Sequence, residues 1–347
     1  MNLNITTNVL MSAGMLQTYF SKNIINNALI LIDVNVVNHE IIKETISLLK
    51  RKNILLVTRE PTMEDVNAAV NNYPRTENII AVGGGSTMDL GKAIAITLTN
   101  GGDVEKLCDQ DTVIRPGLPI IVAPTIPGTA AEFSASAVLS GDGYKQNLTS
   151  PYLRPEVALV DPRFFASVSA ETGIPVLLNG YIHAMECLEG IKGSHASRTA
   201  CRNVISIFNE IIKSGYHPQD SKWCQLAYYA NYTSAFSLLG GSLGAVHALS
   251  YGVSNAMGIC HSKANLVALG HLRFFFDQYA QVAFAFCRQY AVDYKLNAGP
   301  SADRQKILSV MNATRDSLTC LWENTFGDKY NNAISDIFIK SILTEIK

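Results

Sequence analysis

The 347-residue chain is poor in charge and shows almost no excess of either sign. Lys and Arg number 28 against 29 Asp and Glu, charged residues make up only 16% of the whole, and the net charge is −1. With no basic surplus, nucleic acid and anionic membrane drop out as partners on electrostatic grounds. Cysteine is sparse and unpatterned: the seven, at 108, 187, 201, 224, 260, 287 and 320, include no C-x-x-C pair. That argues against a disulfide framework or a cysteine-based zinc module and leads us to expect a reducing, cytoplasmic setting. The opening MNLNITTNVLMSAGM has no basic segment before its apolar residues, so no signal peptide is expected. Repeats, low-complexity tracts and long linkers are also absent. One stretch, AFSLLGGSLGAVHALSYGVSNAMGI (235–259), lacks Asp, Glu, Lys and Arg and holds a G-x-x-x-G at Gly240 and Gly244. Its serines, glycines, Asn and His dilute the apolarity, and a buried helix is expected there instead of a membrane span.

Hydrophobic residues, by contrast, reach 48%, enough for a large buried core, and the length exceeds what one core usually holds. Two domains are therefore expected. In the first half, apolar β-rich runs at 28–37, 53–58, 78–82 and 119–125 alternate with amphipathic stretches at 40–52, 62–73 and 86–100. That alternation specifies βαβ units around a buried parallel sheet. Past EVALVDP (156–162) the β-rich runs give way to helical spacing, as in SRTACRNVISIFNEIIKSG (197–215). The boundary is expected near residue 162, with an α/β domain over 1–162 and a helical domain over 163–347.

AVGGGSTMDLGKA (81–93) puts three glycines between a strand and a helix. Such a turn lets a phosphate approach backbone N–H groups at the positive end of a helix dipole. A tight turn that merely needs small residues explains a Gly triplet equally well. The spacing is not G-x-G-x-x-G, and the loop does not follow the first strand. Ser86 is the natural N-cap, with Asp89 three residues on. If a dinucleotide binds, Asp33 at the end of ALILID is the candidate for the adenosine ribose, and an acid there favours NAD over NADP.

Three of seven histidines lie in apolar helical surroundings: His183 in NGYIHAMECLEG, and His247 and His261 at the ends of HALSYGVSNAMGICH. Asn179 stands one helical turn before His183, and Tyr251 one turn after His247. Buried core histidines and a shared metal site are both open readings of this pattern. Tyr251 reads either as a proton relay or substrate contact, or as a core Tyr whose hydroxyl finds a carbonyl.

Taken together, GGGSTMDLGKA (83–93), PTIPGTAAE (124–132), YKQNLTSPYLRPEVALVDP (144–162), NGYIHAMECLEG (179–190) and VHALSYGVSNAMGICHSKAN (246–265) resemble, in order and spacing, the iron-containing (metal-dependent) alcohol dehydrogenase family. The resemblance implies a Rossmann-like α/β domain followed by an all-α domain, as in dehydroquinate synthase, and a homodimer. It implies a divalent metal, zinc or iron, held by His183, His247 and His261, with the family's Asp position falling on Asn179. It implies NAD or NADP on Gly83, Gly84, Gly85 and Ser86, with Thr125 and Thr129 toward the nicotinamide and Lys145 as a ribose-binding lysine. At 251, where many members carry His, this chain has Tyr. YIHAMECLEG, HALSYG and LWENTFGDKY (321–330) look most like the branch containing 3-deoxy-D-manno-octulosonate 8-oxidase. That branch implies oxidation of a primary alcohol of a sugar acid; Arg154 and Lys263 are candidate partners for its carboxylate, which sequence does not place in the pocket. Because Asn179 removes a negative charge, a metal-depleted or non-catalytic relative is the alternative. A lyase of the dehydroquinate synthase type is a third.

Overall fold

The computed structural model describes residues 7–50, 52–108, 112–140, 145–240, 243–294 and 315–330, with 308, 309 and 312. It divides into two compact units, Met1–Ser167 and Val168–Lys347. The division falls a few residues beyond 162 because the short helix Arg163–Ala166 buries Phe164 in the core of the first unit.

In the first unit the chain runs β1 (Asn8–Met11), α1 (Met15–Lys22), β2 (Ala28–Asp33), α2 (Glu40–Leu48), β3 (Lys52–Val57), α3 (Met63–Asn72), β4 (Asn78–Gly83) and α4 (Gly85–Asn100). It continues through α5 (Val104–Leu107), β5 (Ile120–Pro124), β6 (Ser136–Ser140), β7 (Lys145–Thr149), β8 (Val157–Val160) and α6 (Arg163–Ala166). Six strands form one parallel sheet in the order β1-β8-β5-β4-β2-β3. Its interior strands are apolar on both faces because both are covered. Leu29, Leu31, Ile79, Ala81, Ile120 and Val122 enter one core, while Ile30, Ile32, Ile80, Val82, Ile121 and Ala123 enter the other.

The expected strands and helices are present with ends moved by one to four residues: β2, β5, α2 and α3 are shorter, β3 starts and ends one residue earlier, and β4 and α4 are one residue longer. Four strands were not among the expected runs: β1, β6, β7 and β8, the last lying within EVALVDP. β1 is a four-residue edge strand, too short to give a pattern. β6 and β7 form a separate antiparallel pair in which Ser140 faces Lys145, and the polar KQNLT of β7 carries no apolar run.

The second unit is helical: α7 (Ala170–Glu189), α8 (His195–Ser214), α9 (Ser221–Gly240), α10 (Ala245–Met257), α11 (His261–His271), α12 (Asp277–Gln289) and α13 (Thr319–Phe326). α7 starts at the Ser169 cap and is buried almost continuously from Gly173 to Cys187. The uncharged stretch 235–259 is split between the end of α9 and α10. No described helix is long and apolar enough to cross a membrane.

Candidate functional site

The first unit concentrates its features at one sheet position. β3 lies outside β2, and after α3 the chain returns as β4 on the other side of β2. The strand order therefore reverses between β2 and β4, the place where open α/β sheets leave a ligand crevice beyond their carboxyl ends. Asp33 ends β2 and Gly83 ends β4.

A Cβ added to Gly83 would fall 2.4 Å from Thr87 Oγ1 and 2.9 Å from Asp33 Cβ, and one on Gly85 would come within 3.2 Å of Thr129. Packing alone accounts for those two glycines. It does not account for Gly84, whose added Cβ meets nothing within 4 Å and whose φ of −80° suits any residue. The absence of a side chain there leaves the backbone open. Gly84 is also the N-cap of the sixteen-residue α4 and supplies no side-chain cap, so the helix presents backbone N–H groups to an anion.

Thr125 donates its backbone N–H to Gly83 O at 3.1 Å, and Thr129 packs on Gly85. Thr129 is followed by Ala130 at a left-handed φ of 54°, local strain of the sort that accumulates at binding loops. Asp33 Oδ1 accepts the backbone and side-chain N–H of Asn35, both at 2.9 Å.

Two expectations are corrected here. Ser86 is not the N-cap; Gly84 is, because α4 begins one residue before Ser86. Asp89 does not complete a capping box: it turns inward, accepting from Val138 N at 3.1 Å and from Lys92 Nζ at 3.4 Å. Lys92 also donates to Ser134 Oγ and Ser136 O, so the pair clamps α4 to β6. Burial raises the Asp89 pKa and lowers that of Lys92. Lys145 opens β7, and its side chain lies outside the described residues.

The second unit gathers a buried polar cluster. Asn179, His183 and Glu186 share the inner face of α7, His247 and Tyr251 project from α10, and His261 and Asn265 from α11. The N-cap of α10, Gly244, offers no side chain. The Glu186 carboxylate serves instead, accepting Val246 N at 2.7 Å and His247 N at 3.1 Å through Oε1, where the helix dipole favours a negative group. Its Oε2 accepts from His247 Nδ1 at 2.6 Å; with the ring proton on Nδ1, Nε2 is left as an inward lone pair.

That lone pair fixes Asn265 with its nitrogen inward, since an oxygen there would face another acceptor. Asn265 Nδ2 lies 2.5 Å from Asn179 Oδ1, 3.2 Å from His247 Nε2 and 3.2 Å from His261 Nε2. Three acceptors thus surround one amide nitrogen with two hydrogens. The His183 ring stacks on His247 with centroids 4.7 Å apart, and its buried Nδ1 has no hydrogen-bond partner. Burial first, then the neighbouring His247 and His261, hold the His183 pKa well below its ordinary value, so its ring is neutral. Tyr251 stacks on His261 at 5.1 Å, and burial, aided by Glu186, pushes its phenol up to about 12.

The structure therefore brings Asn179, His183, His247, His261 and Tyr251 together. Reasoning from the sequence missed Glu186 and Asn265, although both follow a candidate histidine at helical spacing. Among the described residues no three His, Cys, Asp or Glu side chains form a set that could hold a metal ion as they stand. The chemistry of the set nevertheless fits one: two imidazoles and an amide oxygen gather around one amide nitrogen, and a buried nitrogen of a third imidazole, His183, lacks a partner. Hydrogen bonds to an amide nitrogen hold acceptors about 1 Å farther from a centre than bonds to zinc do, and an amide nitrogen is what sits there.

Residues 9–162 match the iron-containing alcohol dehydrogenase model, and residues 169–313 match the C-terminal model of the same family. The two fit the two units in order, and the chain belongs to the iron-containing alcohol dehydrogenase family. Within it, the chain is 29% identical over 226 residues to long-chain-alcohol dehydrogenase 1 of Geobacillus thermodenitrificans, covering 62% of this chain and 56% of that one. It is 26% identical over 219 residues to the NAD-dependent methanol dehydrogenase of Bacillus methanolicus, covering 61% and 57%. The matches thus span little more than half the length of these relatives. The fold superposes on that of sulfoacetaldehyde reductase from Bifidobacterium kashiwanohense, solved in complex with NAD+. The TM-score is 0.80 at 16% identity, with 99% of this chain and 98% of that one covered.

Proposed function

We propose that this chain is an NAD-dependent dehydrogenase that oxidises a primary alcohol of a sugar or sugar acid, with a metal centre altered at Asn179. The observation that carries the cofactor reading is the open face of Gly84 beside Asp33 at the β2/β4 switch point. The pyrophosphate meets the N–H groups at the start of α4, with Gly83, Gly84, Gly85 and Ser86 as its cradle. Asp33 takes the adenosine ribose and selects NAD over NADP. Thr125 and Thr129 border the nicotinamide side, and Lys145 is the proposed ribose contact.

In the helical unit His183, His247 and His261 would hold the divalent ion, with Asn179 Oδ1 as a neutral fourth donor. When bound, the ion supplies Lewis acidity toward a substrate hydroxyl, and NAD supplies the hydride acceptor. Glu186 orients His247 and keeps its Nε2 facing inward. Tyr251, whose phenol burial pushes up to about 12, would offer its hydroxyl proton to a substrate oxygen and would not act as a base. The family resemblance extends the proposal to a homodimer.

The test joins metal analysis to turnover. Purified protein and Asn179→Asp are compared by elemental mass spectrometry, then supplied with NAD+ and eight-carbon sugar acids. Accumulating NADH supports a dehydrogenase, whereas consumption of substrate without net NADH indicates the transient redox of a lyase. An empty wild type whose Asp variant fills with metal, with neither turning over, would leave a nucleotide-binding protein without catalysis. The neutral Asn179 is the observation that favours that second reading.

A further inference from the structure

The Asn265 side chain occupies the point on which the candidate ligands converge. Its Nδ2 bonds Asn179 Oδ1, His247 Nε2 and His261 Nε2, which come from three different helices. With the His247 proton on Nδ1 toward Glu186, its Nε2 and Asn179 Oδ1, 3.2 Å apart, both present lone pairs that repel unless a partly positive group stands beside them. An amide N–H is such a group, carrying positive charge without being an ion. At the other end of the same amide, Oδ1 is buried and has no hydrogen-bond partner. Only the nitrogen end is anchored, so rotation about the side-chain bonds breaks just the contacts that a cation would replace. Asn265 stands one helical turn after His261 on α11, so its amide reaches the cluster without movement of the helix.

Resting on the metal reading above, we propose that the Asn265 carboxamide is a built-in placeholder for the divalent ion. It holds the imidazoles and the Asn179 oxygen apart in the metal-free protein and withdraws when the ion enters. Asn179 gives the exchange its consequence. A carboxylate at 179 would add a full negative charge favouring the ion, whereas a neutral amide leaves the ion and the Asn265 N–H in closer competition. Metal occupancy in this chain then responds to the metal supply where an Asp-bearing site would stay filled.

The experiment is a Co2+ titration of the whole protein followed by visible absorption, with thermal unfolding of metal-free and Co2+-loaded samples. Wild type is compared with Asn265→Ala and Asn265→Ser. A placeholder requires that both variants bind Co2+ at least tenfold more tightly than wild type. It also requires that they melt earlier when metal-free and regain the wild-type melting temperature when loaded. If wild type binds Co2+ and the variants bind it no more tightly, or lose equal stability with and without it, Asn265 is a packing residue and the placeholder is overturned. If wild type binds no Co2+, the metal reading falls and the placeholder with it. The serine variant, which keeps a polar group at the position, retains the comparison should the alanine variant not fold.

Discussion

The two units build their sites from different materials. The crevice of the first unit is made of backbone: a strand end, a helix start and glycines whose missing side chains make the shape. The cluster of the second unit is made of side chains, hydrogen-bonded to or stacked on one another across three helices. A backbone site tolerates most side-chain changes around it and fails only where a Cβ intrudes. A side-chain site keeps its outline after a substitution while its charge changes, and under the proposed metal reading Asn179 would be such a case, with the position retained and the negative charge gone.

The largest expected effect tests the interdependence of the second site. Glu186 is buried and accepts two backbone N–H groups of α10 and the His247 ring. Glu186→Ala strips three donors at once and is expected to destabilise the protein by about 3 kcal/mol or more, read by urea unfolding. Glu186→Gln keeps the shape and one acceptor and should recover part of that loss. If the alanine variant unfolds at the wild-type urea concentration, the cluster is not held together through Glu186.

Next comes a pair of alanine variants inside the backbone site. Gly83→Ala drives a methyl into Thr87 and Asp33 and is expected to cost about 2 kcal/mol. Gly84→Ala meets no atom within 4 Å and should change stability by less than about 1 kcal/mol. Yet it is Gly84→Ala, stable and folded, that should weaken NADH binding about tenfold in a fluorescence titration, by holding the pyrophosphate off the helix N-terminus. Undiminished NADH affinity in that variant would return the glycine triplet to a plain turn.

The same contrast decides how much could be read in advance. The parallel sheet was legible because Ala28–Asp33, Asn78–Gly83 and Ile120–Pro124 are buried on both faces and so are nearly unbroken apolar runs. β7 was not, since its antiparallel partner supplies the pairing and its own KQNLT supplies no pattern. The glycine loop could be located but not interpreted, because sequence does not tell a glycine excluded by Thr87 from one facing open space. Of the polar cluster, the histidines were visible as chemistry in apolar surroundings, and helical spacing placed Asn179 and Tyr251 with them. Glu186 and Asn265 sat in the same motifs unnoticed. A Glu near a helix end reads as solvated until a second helix start is seen capping on it, and an Asn one turn after a His is ordinary until its nitrogen is found among three acceptors.

The smallest expected effect concerns cofactor choice at the one side chain on which the backbone site depends. Asp33 stands at the switch point with Oδ1 committed to Asn35; in the proposed site its charge would repel a 2′-phosphate and its carboxylate would accept from a ribose hydroxyl. Asp33→Ser keeps a short acceptor for Asn35 and removes the repulsion. NADPH binding should tighten relative to NADH by about tenfold, close to 1.4 kcal/mol, with unfolding unchanged to within about 0.5 kcal/mol. Parallel fluorescence titrations with the two reduced cofactors give the ratio. A ratio that does not move would mean that the adenosine ribose lies elsewhere than at the end of β2. The crevice would then be defined by its glycines alone, and the contrast between a backbone site and a side-chain site would become sharper.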